Sequence, residues 1–474
     1  MTWLRSIALG ASVSALLAAQ DARSLLRETA KAMGAENLKS FEYSGSGFFY
    51  WFGQAARPDS PWPKFYAKSY RRVVDLPAGL SLQTVVRTQY ENPPHGGGNQ
   101  PVTGDQTLTM TVSTRDPWSR DDGIGFSAGQ QLEIWITPFG FLSGALEHDA
   151  TVAAKKISGK KYSVVSYKPE NEYPLTAFID DRGLIERIET RIDNALLGDM
   201  PVEISYADYR SFGDLKFPTK ILEKQGGFPV LDLTITDAKK DSAVNIQPPP
   251  APASNPNRVG VEQPAPGIYF LTGSHNTIAV GFDGYVVVIE APLNEVRSKA
   301  VIADVNRLFP NLPIRYVVNS HPHIDHSGGL RTYAARGATI ITDEINKAYY
   351  EKVFRLPHTL HPDELSLSGR KARIEGVADS RTLTDGTHRV ELYHLRNAGH
   401  VDGMLIAYLP KEKIVVEADE FTGGPANPPG APNPFAAALV DDLERLKLDY
   451  QIVLGLHGRQ ATKAELLQAA GKAN

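Results

Sequence analysis

Apolar and polar positions change their spacing twice along this 474-residue chain. Over Ala22–Met33 the apolar residues Leu25, Leu26, Ala30 and Met33 recur at helical spacing, and Gly34 follows as a stop. From Phe41 the pattern becomes short apolar or alternating runs: Tyr43–Phe52, Leu82–Tyr90, Leu108–Val112, Leu132–Ile136, Tyr162–Tyr167, Leu175–Ile179, Ile185–Ile192, Val202–Tyr206 and Val230–Ile235. Turn-forming stretches such as Asn92-Pro93-Pro94, Gly96-Gly97-Gly98, Asp180-Asp181-Arg182-Gly183 and Gly226-Gly227 separate them. Many short strands with few helices predict a strongly curved antiparallel sheet, with Ala177–Thr190 as one of its hairpins.

Pro248-Pro249-Pro250-Ala251-Pro252-Ala253-Ser254-Asn255-Pro256 interrupts all regular structure and predicts a stiff connector. The expected organisation is an antiparallel β domain over 20–245, a linker over 246–258 and a second domain over 259–474. In that second part strands alternate with helices. Ile268–Leu271, Thr277–Phe282, Tyr285–Ile289, Ile314–Val318, Thr339–Thr342, His388–Leu395, Met404–Tyr408 and Ile414–Val416 predict strands. Ser298–Leu308, Leu330–Ala335 and Glu344–Phe354 predict helices, the last capped by Asp343. This alternation fits a layered α/β arrangement, so the fold class expected for the whole chain is α+β in two domains.

The densest chemistry follows the strand Ile314–Val318. Asn319-Ser320-His321-Pro322-His323-Ile324-Asp325-His326-Ser327 places three imidazoles and a carboxylate within six positions, just before Gly328-Gly329. Along an extended segment alternate side chains share a side, so His321, His323 and Asp325 are expected to converge while His326 turns elsewhere. One short loop can then serve two cations. Neutral imidazole and carboxylate are ligands that suit zinc first, with iron or manganese also compatible. A solvated histidine-rich loop is the bland alternative, and four ligand-type residues at the end of an apolar strand argue against it.

At these residues the sequence resembles the metallo-β-lactamase fold superfamily, whose signature is His-x-His-x-Asp-His; the resemblance runs from Val259 onward. It implies a helix-flanked sandwich of two mixed sheets with metals at one edge. It also implies three later ligands. His400 stands in a Gly-His context, Asp419 ends the apolar run Val415-Val416-Glu417-Ala418, and His457 follows Ile452–Leu456. Glu417 and Glu420 are rivals of Asp419; alternation turns Glu420 away, and only the resemblance sets Asp419 above Glu417. His321, His323 and His400 are then expected on one metal and Asp325, His326 and His457 on the other, with Asp419 between them. Glu290, at the end of Val286–Ile289, is the expected partner for an outward-facing imidazole.

What the resemblance implies chemically is a dinuclear hydrolase using a metal-bridging hydroxide on an ester, lactone, thioester or related bond of a small molecule, with Asp325 and Asp419 in catalytic roles. Many β-lactamases of this fold place Cys where this chain has Asp419, acyl-homoserine lactonases carry Tyr where it has Thr422, and glyoxalase II relatives have a longer tail than Gly458–Asn474. Tyr349, Tyr350, Phe354 and the loop Phe421–Pro434 are the candidate substrate surfaces, with Tyr349 and Phe354 reading equally as the core face of their helix, while His358 and His361 read as loop histidines. The rival readings are a mono-iron persulfide dioxygenase-like oxidoreductase and a non-catalytic cell-envelope ligand-binding protein. The N-terminal sheet is similar to the curved half-barrel of bacterial lipoprotein carriers, which implies either a scaffold or a seat for an apolar ligand.

Composition narrows the rest. With 42% hydrophobic residues the chain can build sizeable cores, and a net charge of -4 from 50 basic and 54 acidic residues points to neither nucleic acid nor an anionic membrane. Cysteine is absent, so no thiolate holds a metal. Met1–Ala19 has a short positive head, an apolar stretch and alanines at its end, the pattern of a signal peptide too short for a membrane span. The expected location is periplasmic or secreted.

Overall fold

The computed structural model describes residues 21–114, 132–169, 173–247, 258–386, 388–423 and 432–472. The expected signal peptide 1–19, most of the linker and most of the loop Phe421–Pro434 lie outside the described residues.

Residues 21–32 are helical, after which eleven strands form a single antiparallel sheet. Ser40–Tyr50 lies in its interior, paired with Lys64–Asp75 on one side and Phe228–Lys240 on the other. The chain runs outward through Leu80–Gln89 to an edge at Gln106–Ser113, crosses to the opposite edge at Thr151–Ile157, and returns strand by strand. Both edges stay open, so no barrel closes.

The crossing segment carries the helices Leu132–Trp135 and Pro138–Glu147. Phe139 meets Phe41 edge-on at 5.1 Å, and Phe141 meets Tyr167 at 5.0 Å. The strands holding Phe41 and Tyr167 are six places apart in the sheet, which on a flat surface is about 29 Å at ~4.8 Å per strand. Two residues of a single helical turn touch both only because the sheet curls around them. The face that would seat an apolar ligand is therefore covered, at Phe41, Phe217 and Tyr167, by the chain's own aromatic side chains.

Leu132–Ile136 departs from expectation, being helical and not a strand over Leu132–Trp135. Thr137 caps the next helix by accepting from Gly140 N at 3.1 Å, Pro138 opens that helix, and Glu133 is drawn to the buried Arg72. A five-residue apolar run does not distinguish the two structures by period, and here the cap and the ion pair decide.

Two further sheets follow. In the seven-stranded one, Gly260–Ala265, Ile268–Thr272, Thr277–Phe282 and Tyr285–Ile289 are antiparallel, and Ile314–Val318, Thr339–Asp343 and Arg373–Val377 add in parallel. The six-stranded one runs Ser380–Thr384, Arg389–His394, Leu405–Leu409, Ile414–Glu417, Ile452–Gly455 and Gln460–Thr462, with one parallel pair at Ile414–Glu417 and Ile452–Gly455. Val287 and Ile289 face the second sheet, packing with Leu392, Ala407 and Val416. Val286 and Val288 face the other way, toward Val301 and Val305 of the helix Glu295–Leu308. Pro434–Arg445 and Lys463–Ala469 cover the outside of the second sheet. Cover on both faces is why Tyr285–Ile289 and Leu405–Leu409 are unbroken apolar runs instead of alternating ones. The layers are helix, sheet, sheet, helix, as the resemblance implies. No helix among the described residues is long and apolar enough to cross a membrane.

The curved sheet is clasped to this sandwich. Asp199 Oδ1 accepts from the backbone N–H groups of Thr359 at 2.8 Å and Leu360 at 3.0 Å, Oδ2 accepts from Thr359 Oγ1, and Asp199 N donates to Pro357 O at 2.8 Å. His358 is buried against Gly198 in the same contact, and His361 faces Asp193 at 3.5 Å. Both histidines serve the junction between the two halves. Asp199→Ala leaves two N–H groups without their acceptor, and the folded state is expected to lose about 1–3 kcal/mol. Chemical denaturation reads this directly, and an unmoved midpoint would show that the clasp adds no stability.

Candidate metal centre

The strand Ile314–Val318 ends at Asn319, and the chain enters the short helix Ile324–Ser327 with His323 as its N-cap. The extended path therefore stops at His323. Asp325 does not join His321 and His323 as alternation predicts; the helical turn carries it to the side of His326. Asn319 fixes the loop from within. Its Nδ2 donates to Glu290 Oε1 at 3.1 Å and to the His321 carbonyl at 2.8 Å, and its Oδ1 accepts from Tyr350 Oη at 2.6 Å and Thr342 Oγ1 at 3.2 Å. Tyr350, fully buried, thus braces the loop from the core and is not a substrate surface, and Phe354, half-buried, packs against it.

Two groups of donors result. His321, His323, His400 and Asp419 form one, His275, Asp325, His326 and His457 the other, and the donor atoms within each lie within 4.8 Å of one another. Asp419 joins the groups. Its Oδ2 is 2.9 Å from His400 Nε2, 3.2 Å from His326 Nε2 and 3.3 Å from His321 Nε2, while Oδ1 is 2.9 Å from His457 Nε2. All seven residues singled out in the sequence meet here. Asp419 takes a left-handed backbone, φ 63°, a conformation that Asp tolerates better than most residues. Its rivals are engaged elsewhere: Glu417 accepts from Phe421 N at 3.1 Å, and Glu420 accepts from His400 N at 3.2 Å.

In the three histidines of the loop, the ring nitrogens that point away from the cluster are tied down. His321 Nδ1 lies 2.9 Å from Ser320 Oγ, which itself donates to Glu290 Oε2, and His326 Nδ1 lies 3.3 Å from that same carboxylate oxygen. His323 Nε2 donates to the carbonyl of Ala55 at 2.9 Å. Such outward bonds set each tautomer and leave the opposite nitrogen free as a donor of electrons.

Electrostatics sorts the buried groups. Burial, reinforced by the neighbouring His326, lowers His321 to about 4, and burial with the same crowding of imidazoles lowers His323 well below its ordinary value. For Asp325 and Asp419 burial opposes charge, but His326 and the other imidazoles outweigh it and hold both carboxyls well below the ordinary range. Burial also opposes charge on His326, and there Asp419 and Asp325 prevail and raise it. Glu420 is pushed up to about 8, chiefly by burial, and Glu417 is raised as well. The acidic trio at the strand end is thus divided, with Asp419 anionic and its neighbours favouring the neutral form.

This donor set fits divalent cations. His323 Nδ1 faces His400 Nε2 at 2.9 Å and His326 Nε2 faces His457 Nε2 at 2.9 Å, so lone pairs converge from several directions on two spots. His321 Nε2 is buried and, apart from the Asp419 carboxylate at 3.3 Å, has no polar partner among the described residues. Nitrogen and oxygen donors without sulfur suit zinc, iron or manganese.

Three participants were not legible in the sequence. His275, between Ile268–Thr272 and Thr277–Phe282, puts Nε2 3.3 Å from Asp325 Oδ2 and its ring 4.3 Å from that of His457. Next to it, Asn276 Nδ2 donates to the carbonyls of Gly455 at 2.9 Å and Gly458 at 2.7 Å, so this loop and the His457 turn are one unit. The break Gly273-Ser274-His275-Asn276 between two apolar runs was the only available signal. The other two are Gln54 and Ala55, from the curved sheet. Beside them a cavity of about 280 Å³ opens between that sheet and the helix Glu344–Val353, lined by Trp62, Phe228, Ile324, Tyr349 and Val353, with His323 on its wall.

Residues 271–432 match the Metallo-beta-lactamase superfamily. No curated protein matches the chain. Among solved structures it is similar to a metallo-beta-lactamase from Pontibacter korlensis, at 14% identity over 45% of this chain and 98% of that one, with a TM-score of 0.35. It is similar to a metallo beta lactamase from Hirschia baltica at 15% identity, covering 45% and 97% of the two chains with a TM-score of 0.36. For the DIM-1 metallo-beta-lactamase the values are 16%, 45%, 95% and 0.34. The second half of this chain, over residues 271–432, is a metallo-beta-lactamase superfamily domain, with clustered histidines and aspartates of the kind that hold metal ions.

Proposed function

We propose that the protein is a dinuclear metal-dependent hydrolase acting on an ester, lactone, thioester or related bond of a small molecule. The observation that carries this reading is the pair of donor groups joined through the two oxygens of Asp419. His321, His323 and His400 would hold one ion and Asp325, His326 and His457 the other, with Asp419 between them. When bound, such a pair of cations, zinc by preference, supplies Lewis-acid activation of water and of the substrate's carbonyl oxygen.

The chain's own part is holding and proton handling. Asp419 keeps the two groups in register, because a shift of either moves the imidazoles on the other oxygen. Asp325 has Oδ1 engaged by Gln54 and Oδ2 turned inward, 3.3 Å from His275 Nε2; Oδ2 is the atom that would meet the second ion, and this carboxylate is the group placed to hand a proton to the leaving atom. Burial of His321, His323 and His326 keeps bulk water from competing for the reacting atoms. The cavity beside His323, walled by Trp62 and Phe228, suits an apolar portion of the substrate.

Elemental analysis of the purified protein is expected to give two metal equivalents per chain. His321→Ala and Asp419→Ala are each expected to keep the fold and to lower turnover on a panel of ester, lactone and thioester substrates by about 10²-fold or more. One equivalent together with unaltered turnover in both variants would remove the reading. Because bound ions stabilise only the folded state, chelation is expected to lower the thermal midpoint, with about 2.7 kcal/mol at stake for each ion present at 100 times its Kd. A midpoint indifferent to chelator and to added zinc counts against a metal centre.

A further inference from the structure

We propose that Gln54, a residue of the curved N-terminal sheet region, is the positioning residue of the second metal site. The inference rests on the dinuclear reading above and assigns to the N-terminal half a part in the metal centre.

Gln54 follows Ser40–Tyr50 and is 271 positions from Asp325, yet its Nε2 donates to Asp325 Oδ1 at 2.6 Å. It is buried, at 6% exposure. An ionised carboxylate only accepts hydrogen bonds, so the amide must present its NH₂ end to it. The bond takes one carboxylate oxygen out of contention. Oδ2 alone is then left for the cluster, 3.3 Å from His275 Nε2, 3.6 Å from His326 Nε2 and 3.9 Å from His457 Nε2. Without the amide the Asp325 side chain is free to rotate about its last bond and offer either oxygen, and the direction of its lone pairs is lost.

The sequence around Gln54 is built to hold that amide in place. Gly97 N donates to the Gln54 carbonyl at 3.0 Å, and a Cβ on Gly97 would stand 1.8 Å from Gln54 Oε1. The middle glycine of Gly96-Gly97-Gly98, a turn signal in the sequence, therefore makes room for the side chain that reaches Asp325. Gly53, at φ 79°, has no space for a side chain against Ile324, the residue beside Asp325, and its carbonyl accepts from Ile324 N at 3.3 Å. Ala55 O accepts from His323 Nε2, and Ala56 O accepts from Asp402 N at 3.0 Å, two positions after His400. Arg57 and His95 both reach the Asp402 carboxylate, at 3.3 and 3.1 Å. Gly53–Arg57 thus lies across two ligand loops at once and grips each through its backbone. Gln54 is the one residue of the five whose side chain bonds a candidate ligand.

The test is stepwise titration of the metal-free full-length protein with cobalt(II), following the visible absorption of each site and the two dissociation constants. Two variants are used. Gln54→Met keeps the volume and removes the donor; Gly97→Ala leaves Gln54 in the sequence but drives its amide away from Asp325. Both are expected to bind the first ion as the wild type does and the second about 10- to 100-fold more weakly, the usual cost of losing a partner that orients a ligand. The absorption of the second site is expected to change in both, which a general loss of stability would not produce, and far-UV circular dichroism checks the fold. If one variant fails to fold, the other decides. Two ions in wild type and variant alike, with unchanged constants and spectra, overturn the proposal and leave the dinuclear reading standing. A wild type that takes up a single ion overturns both.

Discussion

The centre depends on a repulsion that something must oppose. Electron pairs from several imidazoles and two carboxylates are aimed at the same small region, with ring nitrogens of different loops as close as 2.9 Å. Left to itself such a cluster would open and hydrate. It stays together because the rings of His321, His326 and His323 are held from their far sides, by Ser320, Glu290 and the Ala55 carbonyl, and because the Glu290 carboxylate is itself held by Asn319 and Ser320. Glu290 has a positive φ of 80°, unusual for a residue with a long side chain, and Asp419 shares that trait at φ 63°. Strained backbone at both positions is tolerable because the packed strands Tyr285–Ile289 and Ile414–Glu417 lead into them.

How much of this was legible varied with the distance over which each feature is determined. The loop His321–His326 announces itself locally, whereas His400, Asp419 and His457 are reached through the family resemblance, which expects ligands beside apolar runs in that order. Strands buried on both faces, such as Tyr285–Ile289, were equally plain. Others were hidden for physical reasons. Lys64–Asp75 has its alternation broken by a register shift at Ala67/Ser69, Leu215–Gln225 contains Pro218, and Thr151–Ile157 is an edge strand with most of its residues exposed. Strand alternation misplaced Asp325 because a four-residue helix begins where extended geometry was assumed, while the grouping with His326 and His457 that the resemblance implies is the one found. His275 is marked only by a break between two apolar runs and Gln54 not at all, since their roles come from partners 50 and 271 positions away.

The curved sheet also takes on a different character once its helices are in view. A half-barrel suggests an empty cradle, but this one is wound around Phe139 and Phe141, and its open business is at the rim. There the loops after Ser40–Tyr50 and before Gln106–Ser113 reach the sandwich, while Asp199 closes a second contact with Leu356–Pro362. A continuous apolar cluster passes between the two halves through Trp62, Ile324 and Tyr350.

The glycine at 97 gives that junction a wider meaning. Since the space it leaves open is filled by an amide serving the opposite half, neither half can be exchanged for a counterpart from another protein by cutting at the proline-rich connector alone. A transplant of the metal-bearing half onto a foreign scaffold would have to bring along two short loops encoded well upstream of the connector, so the halves are bound to change together as sequences diverge.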